Sequence, residues 1–212
     1  MKVVLVSQRL VQNSGYQEIR EALDVKWGDF LTQCGFLPVP VASKVPASEY
    51  FREFKPAGVL LTGGNDLAAL APDDALNAER DRVEMELLTE AVKSKVPVIG
   101  VCRGMQMLAH FNQGSLEKKL GHVVPSHPIR LQAGTRIAKI YGKAGLDVNS
   151  FHNYCVTGLG GEMRAAAFHA DQTIEACEHA GKEIYGMMWH PERVEPYSAD
   201  DIRFFKEVFS KK

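Results

Sequence analysis

Several things are scarce in this sequence, and each scarcity narrows the reading. Its 212 residues hold four cysteines, Cys34, Cys102, Cys155 and Cys177. They lie far apart with no CxxC pair and no histidine at zinc-site spacing, which argues against a metal site and leaves reduced thiols as the expectation. Neither charge is in surplus: 25 Lys and Arg stand against 26 Asp and Glu. That balance offers no global field to draw in nucleic acid or an anionic membrane. Long apolar runs are missing too. The opening MKVVLVSQRL stays apolar only from Val3 to Val6 before turning polar, too short for a signal-peptide core, and nothing later approaches a membrane span of about 20 residues. There is no internal repeat, low-complexity run or linker. The expectation is a cytoplasmic chain folding over residues 1–212 as one domain, with no nucleic-acid or membrane partner.

What is present is an alternation of short apolar runs with stretches of helical period, the pattern of a parallel sheet with crossover helices. Lys2 to Val6, Phe36 to Val41 and Ala57 to Leu61 read as strands. Ile19, Leu23, Trp27, Phe30, Leu31 and Cys34 recur at helical spacing, and Gly35 stands where a helix would end. Asn77 to Lys93 places Val83, Leu87, Leu88, Ala91 and Val92 on one helix face. Short β-like runs dominate the second half: Ile129 to Gln132, Arg164 to Ala167, Thr173 to Cys177 and Glu183 to Trp189. A last helix is capped by Ser198 and buries Ile202, Phe205 and Phe209.

The most informative string is PVIGVCRGMQ, Pro97 to Gln106. A wholly apolar strand, as at the centre of a doubly covered sheet, runs straight into Cys102 and a helix from Arg103 to Phe111. Such a sharp turn lifts a nucleophile clear of the sheet, and the glycines two before and two after it let backbone approach backbone. The helix N-terminus favours negative charge on the sulfur. Taken alone, the string also fits a buried cysteine beside close-packed glycines. GMMWHPE then ends another apolar strand with His190 and Glu192. Residues two apart on extended backbone point the same way, so the carboxylate can orient the imidazole that serves Cys102.

Four stretches in order carry a resemblance: LLTGGNDL (Leu60 to Leu67), PVIGVCRGMQ, VNSFHNYCV (Val148 to Val156) and WHPE (Trp189 to Glu192). With them the chain resembles the class I glutamine amidotransferase superfamily, and more narrowly its free-standing γ-glutamyl hydrolases of the peptidase C26 type. The resemblance implies an α/β, flavodoxin-like fold: a mainly parallel central sheet flanked by helices, with a small antiparallel ribbon. It implies a thioester mechanism on Cys102, His190 and Glu192, an oxyanion hole from Gly63 or Gly64 and the backbone N–H of Arg103, and a glutamyl group held by Gln106 and Ser150-Phe151-His152. No cofactor or metal has a role in that chemistry, and the partner is a small γ-glutamyl compound. The number of copies is open, a homodimer among the options. After the nucleophile helix many relatives carry Gly-Gly, whereas this chain has Gln113-Gly114 and then LEKKL.

For the leaving group, the stretch SQRLVQNSGYQEIREALDVKWGDF resembles the corresponding part of γ-glutamyl-CDP-amidate hydrolases, which act in making the phosphoramidate decoration of bacterial capsules. A pyrophosphate would want guanidinium donors, with Arg9 and Arg20 the candidates. Another γ-glutamyl amide, such as γ-glutamyl-GABA, fits the same core. Two further readings use the same motifs: a glutaminase component handing ammonia to a separate synthase, and a non-catalytic ligand-binding protein of the same fold. His122 and His127, in HVVPSHP, have no further ligand at useful spacing and are read as part of a loop or ribbon.

Overall fold

A computed structural model describes residues 1–211. The chain opens with strand β1 (Lys2–Val6), passes through a hairpin of β2 (Arg9–Gln12) and β3 (Ile19–Ala22), and enters helix α1 (Lys26–Gln33). Strand β4 (Phe36–Pro40), helix α2 (Ala47–Phe54) and strand β5 (Gly58–Leu61) follow, then the long helix α3 (Ala75–Ser94), strand β6 (Val98–Val101) and helix α4 (Arg103–Phe111). The second half adds β7 (Ser115–Lys118), β8 (Val123–Leu131), α5 (Arg136–Tyr141), β9 (Gly145–Phe151), β10 (Tyr154–Gly158), β11 (Met163–His169), β12 (Ile174–His179) and β13 (Ile184–Met187). A short turn at Pro191–Arg193 leads into α6 (Ala199–Phe209).

One sheet runs in the order β4-β1-β5-β6-β13-β12-β11-β8-β9. From β4 to β13 every pairing is parallel. Beyond β13 the sheet continues antiparallel through β12, β11, β8 and β9, with β10 and β7 joined to its flank. The α/β architecture anticipated from the alternating pattern is therefore present. Strands β5, β6 and β13 are buried at every residue, because helices cover both faces. Trp27, Phe30 and Leu31 of α1 pack with Phe204, Phe205, Val208 and Phe209 of α6 on one side. Leu87, Leu88 and Ala91 of α3 meet Met105, Met107 and Leu108 of α4 on the other.

The first helix is shorter than its spacing suggested. Ile19 lies in β3 and Leu23 in the following turn, while α1 begins at Lys26. Ile19 is 57% exposed, so its place in the apolar stripe was coincidental. The hairpin instead pairs Arg9 with Ala22 and Gln12 with Ile19. The last helix matches its predicted cap, with Ser198 Oγ accepting from the Asp201 N–H. Its buried stripe is Phe204, Phe205, Val208 and Phe209, with Ile202 partly covered. At the departure noted after α4, Gln113 adopts φ 63°, the left-handed conformation that glycine would take without strain.

The topology places three loops side by side. Neighbouring parallel strands β5, β6 and β13 end, respectively, in Thr62-Gly63-Gly64, in Cys102 and in Trp189-His190. A crevice outside the carboxyl ends of parallel strands is where open α/β sheets bind ligands. Among the described residues no helix is long and apolar enough to cross a membrane.

Candidate active site

Cys102 stands between β6 and α4 with φ 54° and ψ −108°, a conformation that L residues rarely adopt. The flanking glycines explain how the chain accepts it. A Cβ on Gly100 would stand 2.5 Å from the Gly104 carbonyl oxygen, and one on Gly104 would stand 2.2 Å from that of Leu61. Strand end, elbow and helix start are thus in backbone contact, and any larger residue would push them apart.

His190 and Glu192 arrive from the end of β13. Glu192 Oε1 lies 2.7 Å from His190 Nδ1, both side chains are buried, and Nε2 is left facing the elbow without a hydrogen-bond partner. The point where a Cβ on Gly63 would sit is 2.7 Å from His190 Cε1 and 3.6 Å from both His190 Nε2 and Cys102 Cβ. Gly63, Cys102 and His190 therefore meet at one spot. Burial opposes charge on the imidazole, but the Cys102 sulfur and the Glu192 carboxylate outweigh it and push the His190 pKa up to about 9. Asn149 fixes the histidine from behind: its Oδ1 accepts from the His190 N–H at 2.7 Å and its Nδ2 donates to the His190 carbonyl at 2.8 Å. The Phe151 ring sits edge-on to the imidazole at 5.9 Å.

The Gly63-Gly64 loop is held by a buried ionic network on α3. Arg80 donates to the carbonyl oxygens of Thr62 (2.7 Å) and Gly63 (3.1 Å) and also to that of Gly64. Carbonyl and N–H point opposite ways across a trans peptide. Drawing the Thr62 and Gly63 carbonyls toward Arg80 therefore turns the N–H groups of Gly63 and Gly64 away from it. Arg80 Nε pairs with Glu84 at 3.1 Å, and Glu84 also takes Arg103 and the Ser7 hydroxyl. Arg103 reaches Asp81 as well. The same network thus ties the glycine loop to the first residue of α4.

The remaining predicted residues divide. Gln106 is buried and donates through Nε2 to the Tyr154 carbonyl at 2.9 Å. Ser150 Oγ donates to the His122 carbonyl at 2.6 Å, and His152 turns inward with Nδ1 3.2 Å from the Tyr154 carbonyl. The Ser150 and His152 side chains are therefore committed to the interior beneath Phe151, leaving backbone as their route to a ligand. Arg9 lies over Gly64, where a Cβ would come within 2.1 Å of its Nη2. Together with Gly63, Trp27, Glu192 and Arg193 it lines a cleft of about 240 Å³. Arg20 is not among the lining residues; it pairs with Glu18 at 3.0 Å and Tyr16 at 2.9 Å in the exposed hairpin. A larger cavity of about 500 Å³, beside Asn149 and Trp189, contains none of Cys102, His190 or Glu192.

Four contributors escaped the sequence reading. Arg193 follows directly on WHPE, and its guanidinium sits 5.3 Å over the Phe151 ring. Asn149 lies inside a quoted motif. Arg80 and Glu84 stand at i and i+4 on the apolar side of α3 beside Val83 and Leu87, and that pair of opposite charges on a buried stripe was the available signal.

The model of one family, Peptidase C26, matches residues 3–192. The chain belongs to the peptidase C26 family. Among relatives of this C26 protein, the γ-glutamyl-CDP-amidate hydrolase of Campylobacter jejuni is 32% identical over 208 residues, covering 97% of this chain and 96% of that protein. The γ-glutamyl-γ-aminobutyrate hydrolase of Escherichia coli O157:H7 is 26% identical over 134 residues, covering 54% and 53% respectively. In structure, a glutamine amidotransferase from Thermotoga maritima superposes with a TM-score of 0.69 at 15% identity, covering 99% of this C26 chain and 84% of that one.

Proposed function

We propose that this protein hydrolyses a γ-glutamyl amide through a thioester on Cys102, releasing L-glutamate, and that the departing group carries phosphate, as in γ-glutamyl-CDP-amidate. The observation that carries the reading is the meeting of Cys102, the His190–Glu192 pair and the Gly63 backbone at one spot. Cys102 Sγ attacks the γ-carbonyl carbon, and the negative oxygen is received by N–H groups of Gly63 or Gly64 and Arg103. A donor of that kind contributes about 3–4 kcal/mol at the strong end. His190 gives its Nε2 proton to the leaving nitrogen as the C–N bond breaks. Water then attacks the thioester and loses its proton to His190 as the C–S bond breaks, which expels the Cys102 thiolate beside the reprotonated imidazole and frees glutamate.

Support for a phosphate-bearing leaving group comes from Arg9 and Arg193, which line the same cleft beside Gly63 and Glu192. Guanidinium forks match phosphate oxygens. The C. jejuni relative, alike along nearly its whole length, is named for that substrate.

The test measures glutamate release from γ-glutamyl-CDP-amidate, γ-glutamyl-GABA and glutamine with wild-type protein and with Cys102→Ala. The reading expects Cys102-dependent release with preference for the nucleotide compound. Preference for γ-glutamyl-GABA would overturn the leaving group alone. No release from any of the three would overturn the reaction. Arg9→Ala and Arg193→Ala should each raise KM for the nucleotide compound more than for a plain γ-glutamyl amide, whereas Arg20→Ala should affect both equally.

A further inference from the structure

The antiparallel half of the sheet gathers a second group of titratable side chains away from Cys102. His122 precedes β8, His127 lies within it, His152 follows β9, His169 closes β11, and Glu175 sits in β12. His122, His127, His152 and Glu175 are all buried. His122 Nδ1 and His152 Nε2 face Glu175 Oε1 at 3.4 and 3.6 Å, and His127 Nε2 faces Oε2 at 3.6 Å. None of these contacts makes a hydrogen bond: His122 Nδ1, both nitrogens of His127, His152 Nε2 and both oxygens of Glu175 have no partner. A buried polar atom without a partner costs about 1–3 kcal/mol, and here all of them but His127 Nδ1 are turned toward one another.

The second nitrogens of two imidazoles are already engaged. His122 Nε2 lies 3.0 Å from Asp171 Oδ2, and His152 Nδ1 lies 3.2 Å from the Tyr154 carbonyl oxygen. An acceptor on one ring nitrogen fixes the tautomer and leaves the lone pair on the other, the arrangement that supports a metal-bound histidine. Nitrogen and oxygen ligands about 2.0–2.1 Å from a tetrahedral zinc ion stand roughly 3.3–3.4 Å from each other, close to the 3.4–3.6 Å between each imidazole and its nearer carboxylate oxygen, Oε1 for His122 and His152 and Oε2 for His127. His122 also belongs to two sets whose ligand atoms lie within 4.8 Å of one another, one with His127 and His169, the other with His152 and Cys155; Glu175 is in neither, and joins His127 and His152 to His122 through its two oxygens.

We propose that His122, His127, His152 and Glu175 bind a divalent transition-metal ion of the zinc class. Imidazole and carboxylate ligands suit such ions. Four protein ligands leave no open position, so the ion is structural. It joins β8, β12 and the turn after β9, and so fixes from below the strand that presents Phe151 to His190. HVVPSHP supplies two ligands, and the fold supplies the two that sequence spacing could not reveal.

The test uses Cys102→Ala protein, so that the thiol beside His190 cannot itself take the metal, stripped with chelator and titrated with Zn²⁺ by calorimetry and with Co²⁺ by visible absorption. One equivalent should bind with a Kd below about 1 μM, and Co²⁺ should show the intense d–d bands of a tetrahedral site. Asp171→Asn leaves an Oδ1 to accept from Thr173 as the carboxylate does and should weaken binding about 10–100-fold by removing the acceptor behind His122. His127→Gln should weaken it at least as much. Absence of stoichiometric binding to Cys102→Ala protein would overturn the proposal. So would binding that Asp171→Asn and His127→Gln both leave unchanged in folded protein, judged by circular dichroism.

Discussion

At the residue scale, the proposed chemistry depends on where His190 keeps its proton. Its pKa is raised to about 9 because the Cys102 sulfur and Glu192 together outweigh burial, so near neutral pH the ring is an imidazolium between two partners. In the proposed mechanism His190 supplies a proton to the leaving nitrogen, so the rate of thioester formation should hold through neutral pH and fall as pH rises through about 9. Glu192→Gln removes one of the two raising influences and leaves burial less opposed. Its alkaline limb should therefore move to lower pH, with kcat reduced about 100-fold as the ring loses its orienting partner. Single-turnover acylation measured against pH in both proteins checks this; an unmoved limb would mean that Glu192 does not set the charge of His190.

At the element scale, α3 acts on the proposed site by holding the glycine loop through Arg80. Arg80 and Glu84 are fully buried, and Arg80 holds the Thr62 and Gly63 carbonyls. Arg80→Lys keeps a charge but loses the fork that reaches Glu84 and the loop at once. Stability should drop by about 1–3 kcal/mol, the scale for leaving buried acceptors without a donor. In whatever protein remains folded, kcat should fall more than KM rises, because the glycine N–H groups would no longer be held in place. Urea unfolding and steady-state kinetics on the same preparation separate the two effects. This element also shows what the sequence could and could not disclose. The strands ending at Leu61 and Val101 and the Cys102 elbow were legible because apolar runs and glycines signal local geometry. Arg80 was not, since a charge on a buried face becomes intelligible once its partners Glu84 and the Gly63 carbonyl are known. Ile19 failed in the opposite direction: an exposed hairpin residue happened to match the phase of α1. The His122 group was hidden because its members come from strands β8, β11 and β12 and the turn after β9, which meet only through pairing in the antiparallel half of the sheet.

At the scale of the whole molecule, the sheet separates what stabilises the fold from the loops proposed to act on substrate. The functional loops leave the carboxyl ends of β5, β6 and β13, while Phe209 at the end of α6 packs at the other end of β5. Its ring lies where a Cβ on Gly58 would be 2.1 Å away, and it meets the Phe36 and Phe205 rings edge-on at 5.6 and 5.9 Å. Removing a buried Phe side chain costs about 3–5 kcal/mol, because packing contacts are lost and the cavity left behind is not refilled. Phe209→Ala should therefore lower the urea midpoint by the corresponding amount. Its kcat and KM, measured well below the unfolding transition, should equal those of wild type, since Phe209 packs against Gly58, Phe36 and Phe205 and none of these belongs to the loops that carry Gly63, Cys102 and His190. A large loss of kcat in folded Phe209→Ala protein would show that the two ends of β5 are mechanically coupled, and the division of labour argued from the topology would fail.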